Sequence, residues 1–494
     1  MKKTISGESL KKNVIYNICY QILILILPLI TAPYISRVLS SDNVGAYSYT
    51  QAFANYFVLF AMLGVNNYGN RIIAQVRDDR KKLSSTFWEI YTLQLALTIF
   101  VSTAYLLYVS TFVNGNRLIY ILQFIYVISA AFDINWFCFG LEKFKITVTR
   151  NAIIKSLVAA AIFIYVNSTS DLDIYTFIMA SGILVSQIVI WPFVIKQVDF
   201  VKPSIKGIVR HIKPNLVLFV PVVAISLYNI MNKIMLGIFS TSSEVGYYDY
   251  AQKIVEVPIA IILALGTVMM PRMSNLVATG NKERGKELTN KAMLFAILLS
   301  TAFAFGLAGI APIFTPWFYG TSFARSGVFI LWLCPVILFK SLAGIIRTQF
   351  IIPNEKDSIY ILSITSGAIV NLVTNYFLIP IYAGKGAVIG TVLAEATVCL
   401  IQFGKTRHDI NFKVYLRDGI ILCMVGLVMY LVVHQLSSFS SSVIITLIVQ
   451  VCVGGVIYMV LAALYLVKIK KEYSMVNEVL KIMHIRFRIG VKKA

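Results

Sequence analysis

Long apolar stretches broken by short polar connections run through almost the whole chain. Most are long enough for an α-helix to cross the hydrocarbon core of a bilayer, which takes roughly 20 mostly apolar residues. Fourteen spans are predicted: 13–38, 44–68, 86–110, 117–140, 152–167, 174–195, 215–239, 246–270, 291–314, 325–348, 358–379, 385–404, 418–436 and 443–467. The fifth is the shortest. The first carries Pro28 and Pro33 and is not followed by a small-residue cleavage site, so a retained helix is expected there rather than a removed signal peptide. Composition agrees with an all-α integral membrane protein. Of the 494 residues, 58% are hydrophobic and 13% charged, against about 45–50% and about 25% in soluble domains.

The placement of cations sets the orientation. Of the 44 Lys and Arg, 36 fall in alternate connections and at the two ends: Lys2 to Lys12, Arg71 to Lys82, Lys143 to Arg150, Lys196 to Lys213, Arg272 to Lys291, Arg347 with Lys356, Lys405 to Arg417, and the tail from Lys468. The opposite connections hold Arg37, Arg117, Arg325 and Lys385. Such a bias puts the rich side in the cytoplasm, and both termini with it. The net charge of +22 is therefore mostly a topology signal, and no nucleic-acid partner is expected. Val476, Val479, Leu480, Met483 and Phe487 recur at helical spacing between basic residues, the pattern of an interfacial helix on an anionic leaflet. All outward connections are short. This argues against a membrane glycan polymerase or glycosyltransferase, which needs a large outer loop for its acceptor and catalytic groups.

The six cysteines lie in apolar runs without a C-x-x-C pair, and the four histidines are scattered. No metal site is expected, and no catalytic residues. The run GNKERGKE (280–287) matches G-x-x-x-x-G-K, but Glu287 stands where a metal-binding hydroxyl is needed and no strand precedes it. ATP binding is not expected.

An internal repeat is visible. Residues 41–52 (SDNVGAYSYTQA) and 242–253 (SSEVGYYDYAQK) share Ser, Val, Gly, Tyr, Tyr and Gln in register, offset by 201 residues and six spans. An even number of spans preserves orientation, so the halves are parallel repeats about an axis along the membrane normal. The expected architecture is two six-helix bundles, 1–196 and 215–404, around a central cavity. A basic linker, 197–214, would join them; two additional helices, 405–467, and a basic tail, 468–494, would follow.

Three stretches carry a resemblance: PYISRVLSSDNVGAYSYTQAF (33–53); LYNIMNKIMLGIFSTSSEVGYYDYAQKIVEVPIAI (227–261) with VMMPRMS (268–274); and GKGAVIGTVLAEA (384–396). Together they resemble Wzx-type polysaccharide flippases of the multidrug/oligosaccharidyl-lipid/polysaccharide exporter superfamily. One departure is visible: the family often has Asp before Lys-Ile-Met-Leu-Gly, where this chain has Asn232. The resemblance implies a transporter, not an enzyme. It would move undecaprenyl-diphosphate-linked oligosaccharide repeat units from the inner to the outer leaflet of a bacterial plasma membrane, for capsule, exopolysaccharide or O-antigen assembly. Polysaccharide polymerase machinery would be a partner. The alternatives are a drug or organic-cation antiporter of the same superfamily and a peptidoglycan-precursor flippase.

Charges inside spans are the candidate site, because each costs at least about 2.5–3.5 kcal/mol to insert. Lys340, Lys253, Lys233, Arg37 and Arg347 are the candidate cavity cations for a diphosphate. Lys340, mid-span and without a partner nearby in sequence, stands first. Asp249, Lys253 and Glu256 form one helix stripe, so Lys253 satisfied by Asp249 or Glu256 is the structural rival. Asp133, Asp249, Glu256 and Glu395 are candidate lysine partners or carriers of a coupling ion, sodium or a proton. Trp136, near Asp133, is weighed between sugar stacking and packing.

Overall fold

The computed structural model describes residues 27–470, and every described element is helical. In chain order the helices are α1 (27–38), α2 (Ser41–Met62), α3 (Val65–Val76), α4 (Arg80–Phe112), α5 (Arg117–Phe132), α6 (Asn135–Gly140), α7 (Phe144–Tyr165), α8 (Leu172–Ile188) and α9 (Trp191–Ile195). They continue as α10 (Ile205–Phe239), α11 (Ser242–Ala278), α12 (Lys282–Tyr319), α13 (Ala324–Ile346), α14 (Asp357–Tyr382), α15 (Gly384–Thr406), α16 (Phe412–Gln435) and α17 (Val443–Leu464). Helix is forced by the solvent: in hydrocarbon each backbone N–H and C=O must be satisfied within its own segment.

Fourteen spans were expected; among the described residues eleven helical segments are long and apolar enough to cross a membrane. They coincide with the third to sixth and the eighth to fourteenth predicted spans. The second falls on α2, which is rich in Tyr, Ser and Asn, and the seventh on α10, whose apolar run is the shorter Ile230–Phe239. Most of the first span, and the basic tail with its expected interfacial helix, lie outside the described residues. Large apolar side chains such as Ile99, Phe100, Leu107 and Ile448 stand exposed on the long helices, as a lipid-facing surface requires.

The helices form two compact units. Among the described residues, one comprises 27–250 together with Asn375–Ala387; the other comprises Ala251–Thr374 and 388–470.

In the first unit, helix starts are closed by side chains. Asp79 accepts from the backbone N–H groups of Lys81 and Lys82, and Ser204 from that of Gly207, satisfying donors a helix leaves orphaned. An aromatic cluster fills the core. Phe87 stands 4.9 Å from Phe137 and 5.6 Å from Trp136, ring centre to ring centre, and Tyr91 stands 4.9 Å from Trp191. Nearby, buried Glu89 accepts from Arg210 (2.7 Å) and pairs with His211 Nε2 (3.1 Å), while Tyr68 meets His211 Nδ1 (2.7 Å). These bonds tie α3, α4 and α10 together.

In the second unit, α12 has 38 residues. At 1.5 Å per residue it is far longer than the roughly 30 Å hydrocarbon core. The α16–α17 pair packs on it: Tyr458 meets Thr301 (2.6 Å) and donates to the Leu298 carbonyl (2.8 Å). Asp418, fully buried at the start of α16, accepts from Tyr465 (2.6 Å) and pairs with Lys470. Of the cysteines, Cys138, Cys334 and Cys399 are buried, Cys423 is half-buried and Cys452 is exposed on α17; Cys19 lies outside the described residues. Burial was the expectation for all of them; an exposed thiol on an apolar helix fits a lipid-facing position as well.

Candidate ion-pair site

In the first unit the two copies of the repeat touch each other. Gly45 of α2 and Gly246 of α11 sit at a backbone-to-backbone crossing: a Cβ on Gly45 would run into the Ser242 carbonyl, and one on Gly246 into the Ser41 carbonyl. The contact is reciprocal. Around it Ser41 donates to Tyr247 (3.3 Å), Ser243 donates to Asp42, and Ser48 donates to Asp249 (3.0 Å). The last two pairs join residues exactly one repeat apart in sequence, 201 positions. Only glycine lets two helices approach this closely, because it has no Cβ.

Asp249, 3% exposed, also pairs with Lys233 of α10. Next to Lys233, Asn232 donates to the Tyr248 hydroxyl (2.7 Å) and accepts from Asn375 (2.5 Å). The residue that departs from the family pattern is thus a neutral bridge between α11 and α14. Glu244 accepts from the backbone N–H of Gly384 (2.9 Å), at the start of α15. The three sequence stretches that carry the resemblance therefore meet in one place.

Also in the first unit, the fourth predicted span is broken. Helix α5 stops at Phe132, Asp133 takes an extended backbone, and α6 restarts at Asn135. The break strands carbonyl groups. Gln94 of α4 donates to those of Ala130 (2.6 Å) and Asp133 (2.8 Å), and Trp191 to that of Phe132 (3.1 Å). Asp133 accepts from Asn135, which accepts from Arg150 (2.9 Å) and donates to Gln187 (3.0 Å). Trp136 is fully buried and donates to Gln94 Oε1 (2.9 Å), so packing, not sugar stacking, is its role here. Gln94→Leu removes three bonds at once. Each unsatisfied buried polar group costs about 1–3 kcal/mol, so a clearly lowered melting temperature in detergent is expected; an unchanged one would mean the break is held by other contacts.

In the second unit, Lys340 of α13 points its ammonium at Glu256 of α11 (2.5 Å) and lies 3.9 Å from Glu395 of α15. The Glu395 side chain is 5% exposed, that of Lys340 24% and that of Glu256 39%. Arg347, seven residues beyond Lys340, donates to the Tyr360 hydroxyl (3.1 Å) and lies over that ring. From Arg347 to Ile351 the helix widens to a π-helical turn, a feature that often marks functional sites.

Five of the nine candidate residues gather in ion pairs, lysine with carboxylate as expected. Asp249 takes Lys233, Glu256 takes Lys340, and Glu395 lies 3.9 Å from the same ammonium; Lys253, on the α11 stripe with both Asp249 and Glu256, is exposed. Lys340 has no partner in neighbouring sequence because its carboxylates come from α11 and α15, 84 and 55 positions away. Arg37 is exposed at the end of α1. Asp133 belongs to the helix break, apart from the lysine pairs of its own unit. Sequence reasoning missed Ser48, Asn375 and Gln94; only the Ser48–Asp249 match within the repeat alignment offered a signal.

Most of the chain is similar to known proteins. The family profile described as "Polysaccharide biosynthesis protein" matches residues 10–277, and that described as "Lipid II flippase MurJ" matches residues 152–483. A protein of Escherichia coli (strain K12) named "Putative O-antigen transporter" is 26% identical over 406 residues, covering 81% of this chain and 97% of its own. The "Lipid II flippase MurJ" of Bacillus subtilis (strain 168) is 23% identical over 228 residues, 42% of this chain and 41% of that one. Among solved structures, a lipid II flippase MurJ in an inward closed conformation superposes with a TM-score of 0.72 at 15% identity, over 92% of this chain and 99% of that one. An inward-facing multidrug resistance MATE family transporter gives 0.58 at 16% identity, over 77% and 93%. These two likenesses show a shared fold. By the extent of the profile match and the motifs that meet around Gly45 and Gly246, the chain belongs to the polysaccharide biosynthesis protein family, as a Wzx-type flippase of the multidrug/oligosaccharidyl-lipid/polysaccharide exporter superfamily.

Proposed function

We propose that this protein carries an undecaprenyl-diphosphate-linked oligosaccharide repeat unit from the inner to the outer leaflet of a bacterial plasma membrane by alternating access. Its cation-rich connections and both termini would lie in the cytoplasm. The observation that carries the reading is Lys340, held inside the spans between Glu256 and Glu395 with Arg347 two turns further along α13. Carboxylates beside an ammonium offset part of the cost of holding it inside the spans. A diphosphate, with more charge than either glutamate, competes for it, and the released carboxylate takes up a proton or sodium ion. That exchange would couple substrate binding to an ion gradient. The polyprenyl tail would stay in lipid throughout.

Outward opening requires the α2–α11 crossing to separate, since it joins the two helix starts on the cation-poor, outer side. The polar contacts around it, Asp42–Ser243 and Ser41–Tyr247, are exchangeable with water once it opens.

An organic-cation antiporter needs a carboxylate free for its substrate. Asp249, Glu256 and Glu395 each face a lysine here, which speaks against that alternative. The lipid II flippase profile over residues 152–483 favours a second reading, a peptidoglycan-precursor flippase. The test is deletion of the gene in its host, with surface polysaccharide stained and lipid-linked intermediates extracted. Lost polysaccharide with accumulating lipid-linked repeat units is expected. Unchanged polysaccharide overturns the proposal, and rescue of cells depleted of their own lipid II flippase would establish the second reading. The capsule or O-antigen class of the glycan, and dependence on a polymerase partner, would show in the same strain.

A further inference from the structure

Three connections of the second unit, 279–281, 352–356 and 407–411, close on one cavity of about 320 Å3. That volume lies at the lower end of the roughly 300–1,000 Å3 typical of small-molecule sites. Each connection brings cations to it: Lys282 and Lys286 at the start of α12, Lys356 before α14, and Arg407 after α15. One acidic side chain, Asp409, lines it, and Lys356 holds that carboxylate at 2.8 Å. Among the described residues Lys282, Lys286 and Arg407 have no acidic partner; Arg407 reaches only the ring nitrogen of His408, 3.2 Å away. A topological bias toward cations requires them in these connections, but not that three connections turn them into a single concavity.

Gln349 adds a second, independent observation. It lines the cavity from the π-helical turn and is fully buried. Its Nε2 donates to the Gly266 carbonyl (2.9 Å) and to Thr348 (3.3 Å), while its Oε1 has no hydrogen-bond partner among the described residues. An orphaned buried acceptor costs about 1–3 kcal/mol, so a donor such as a sugar hydroxyl would be favoured beside it. Asn281, Asn354 and Asn411 also line the cavity. The run 280–287, which fails as a nucleotide loop, supplies Asn281, Lys282, Gly285 and Lys286.

We propose that this cavity is a docking site for a diphosphate-linked sugar at the inner-leaflet surface, separate from the ion pair at Lys340, where the headgroup is held before it enters the spans. The proposal deepens the proposed function and rests on it. Cations without carboxylates suit phosphate oxygens, amides and the free acceptor suit sugar hydroxyls, and the ends of α11 to α16 set the cavity at headgroup level. The same chemistry would suit a soluble nucleotide sugar, so the test separates the two sources.

The full-length protein is reconstituted in phosphatidylcholine nanodiscs and titrated calorimetrically with inorganic pyrophosphate. Saturable binding is expected, weakened at least tenfold in the Lys286→Gln, Arg407→Gln double variant, whose melting temperature should stay unchanged because both side chains are exposed. Undecaprenyl diphosphate in the same discs should displace pyrophosphate. Absence of saturable binding, or equal affinity in the double variant, overturns the site. Pyrophosphate binding that the lipid fails to displace overturns the leaflet assignment in favour of a soluble nucleotide sugar. If binding depends on Lys286 and Arg407 while deletion of the gene leaves surface glycan intact, the flippase reading fails and the anion site survives.

Discussion

Cells whose only copy carries Lys340→Ala are expected to lose surface glycan, and adding Glu256→Gln to that variant is expected to recover protein without recovering glycan. The two parts separate two roles of one side chain. Removing Lys340 takes away the ammonium that Glu256 and Glu395 share. Breaking a buried pair by deleting one partner costs about 3–5 kcal/mol. The figure here falls toward the lower end, because Glu256 is partly exposed. The single variant should therefore be less abundant in the membrane. Neutralising Glu256 removes that penalty and returns the level, measured by immunoblot of membranes. Export, measured by glycan staining, should stay absent, because the ammonium held between the carboxylates to meet a diphosphate is gone. Normal glycan in the single variant would remove Lys340 from the transport path. Recovered glycan in the double variant would reduce it to a structural partner.

The second large effect is expected at the repeat contact. Gly45→Val and Gly246→Val each place carbon where the other helix has a carbonyl oxygen. Overpacking costs about 1–3 kcal/mol even where side chains can yield; backbone cannot, so folded yield should drop severalfold for either variant. A cysteine pair in place of Asp42 and Ser243, which touch in the structure, tests the motion. Oxidation should stop glycan export and a reductant should restore it within the same cells. Continued export by fully cross-linked protein would mean that the crossing stays closed throughout the cycle, and outward opening would have to occur elsewhere.

Much of the fold was legible because hydrocarbon allows few solutions: an apolar run of the right length has to be a helix. What escaped the sequence was where helices break. Leu63 adopts a positive φ of 47° and ends α2 before α3 begins at Val65, inside what reads as one span. The break at Asp133 carries neither proline nor glycine in FDINWF; its support comes from Gln94, 39 positions away. The charged residues of the site were legible as a set, since few charges enter spans at all. Their pairing was not. Residues four apart on a helix face are natural partners, but the lysines of α10 and α13 that reach Asp249 and Glu256 come from other helices, which a one-dimensional stripe cannot show. The repeat was legible as an alignment, but not that its two copies press against each other.

That contact, from a residue to its own counterpart 201 positions on, has the form of a twofold homodimer interface, in which a patch meets a copy of itself. In a true homodimer every substitution is made on both sides at once, and such an interface can never distinguish its left from its right. Written out twice in one polypeptide, the two sides are free to drift apart. They differ at Ser48 and Asp249: one copy has a hydroxyl, the other a carboxylate, and the carboxylate holds a lysine. The proposed cargo, with a charged end and a neutral end, has no twofold symmetry of its own, and a carrier whose two joined sides differ would share that lopsidedness.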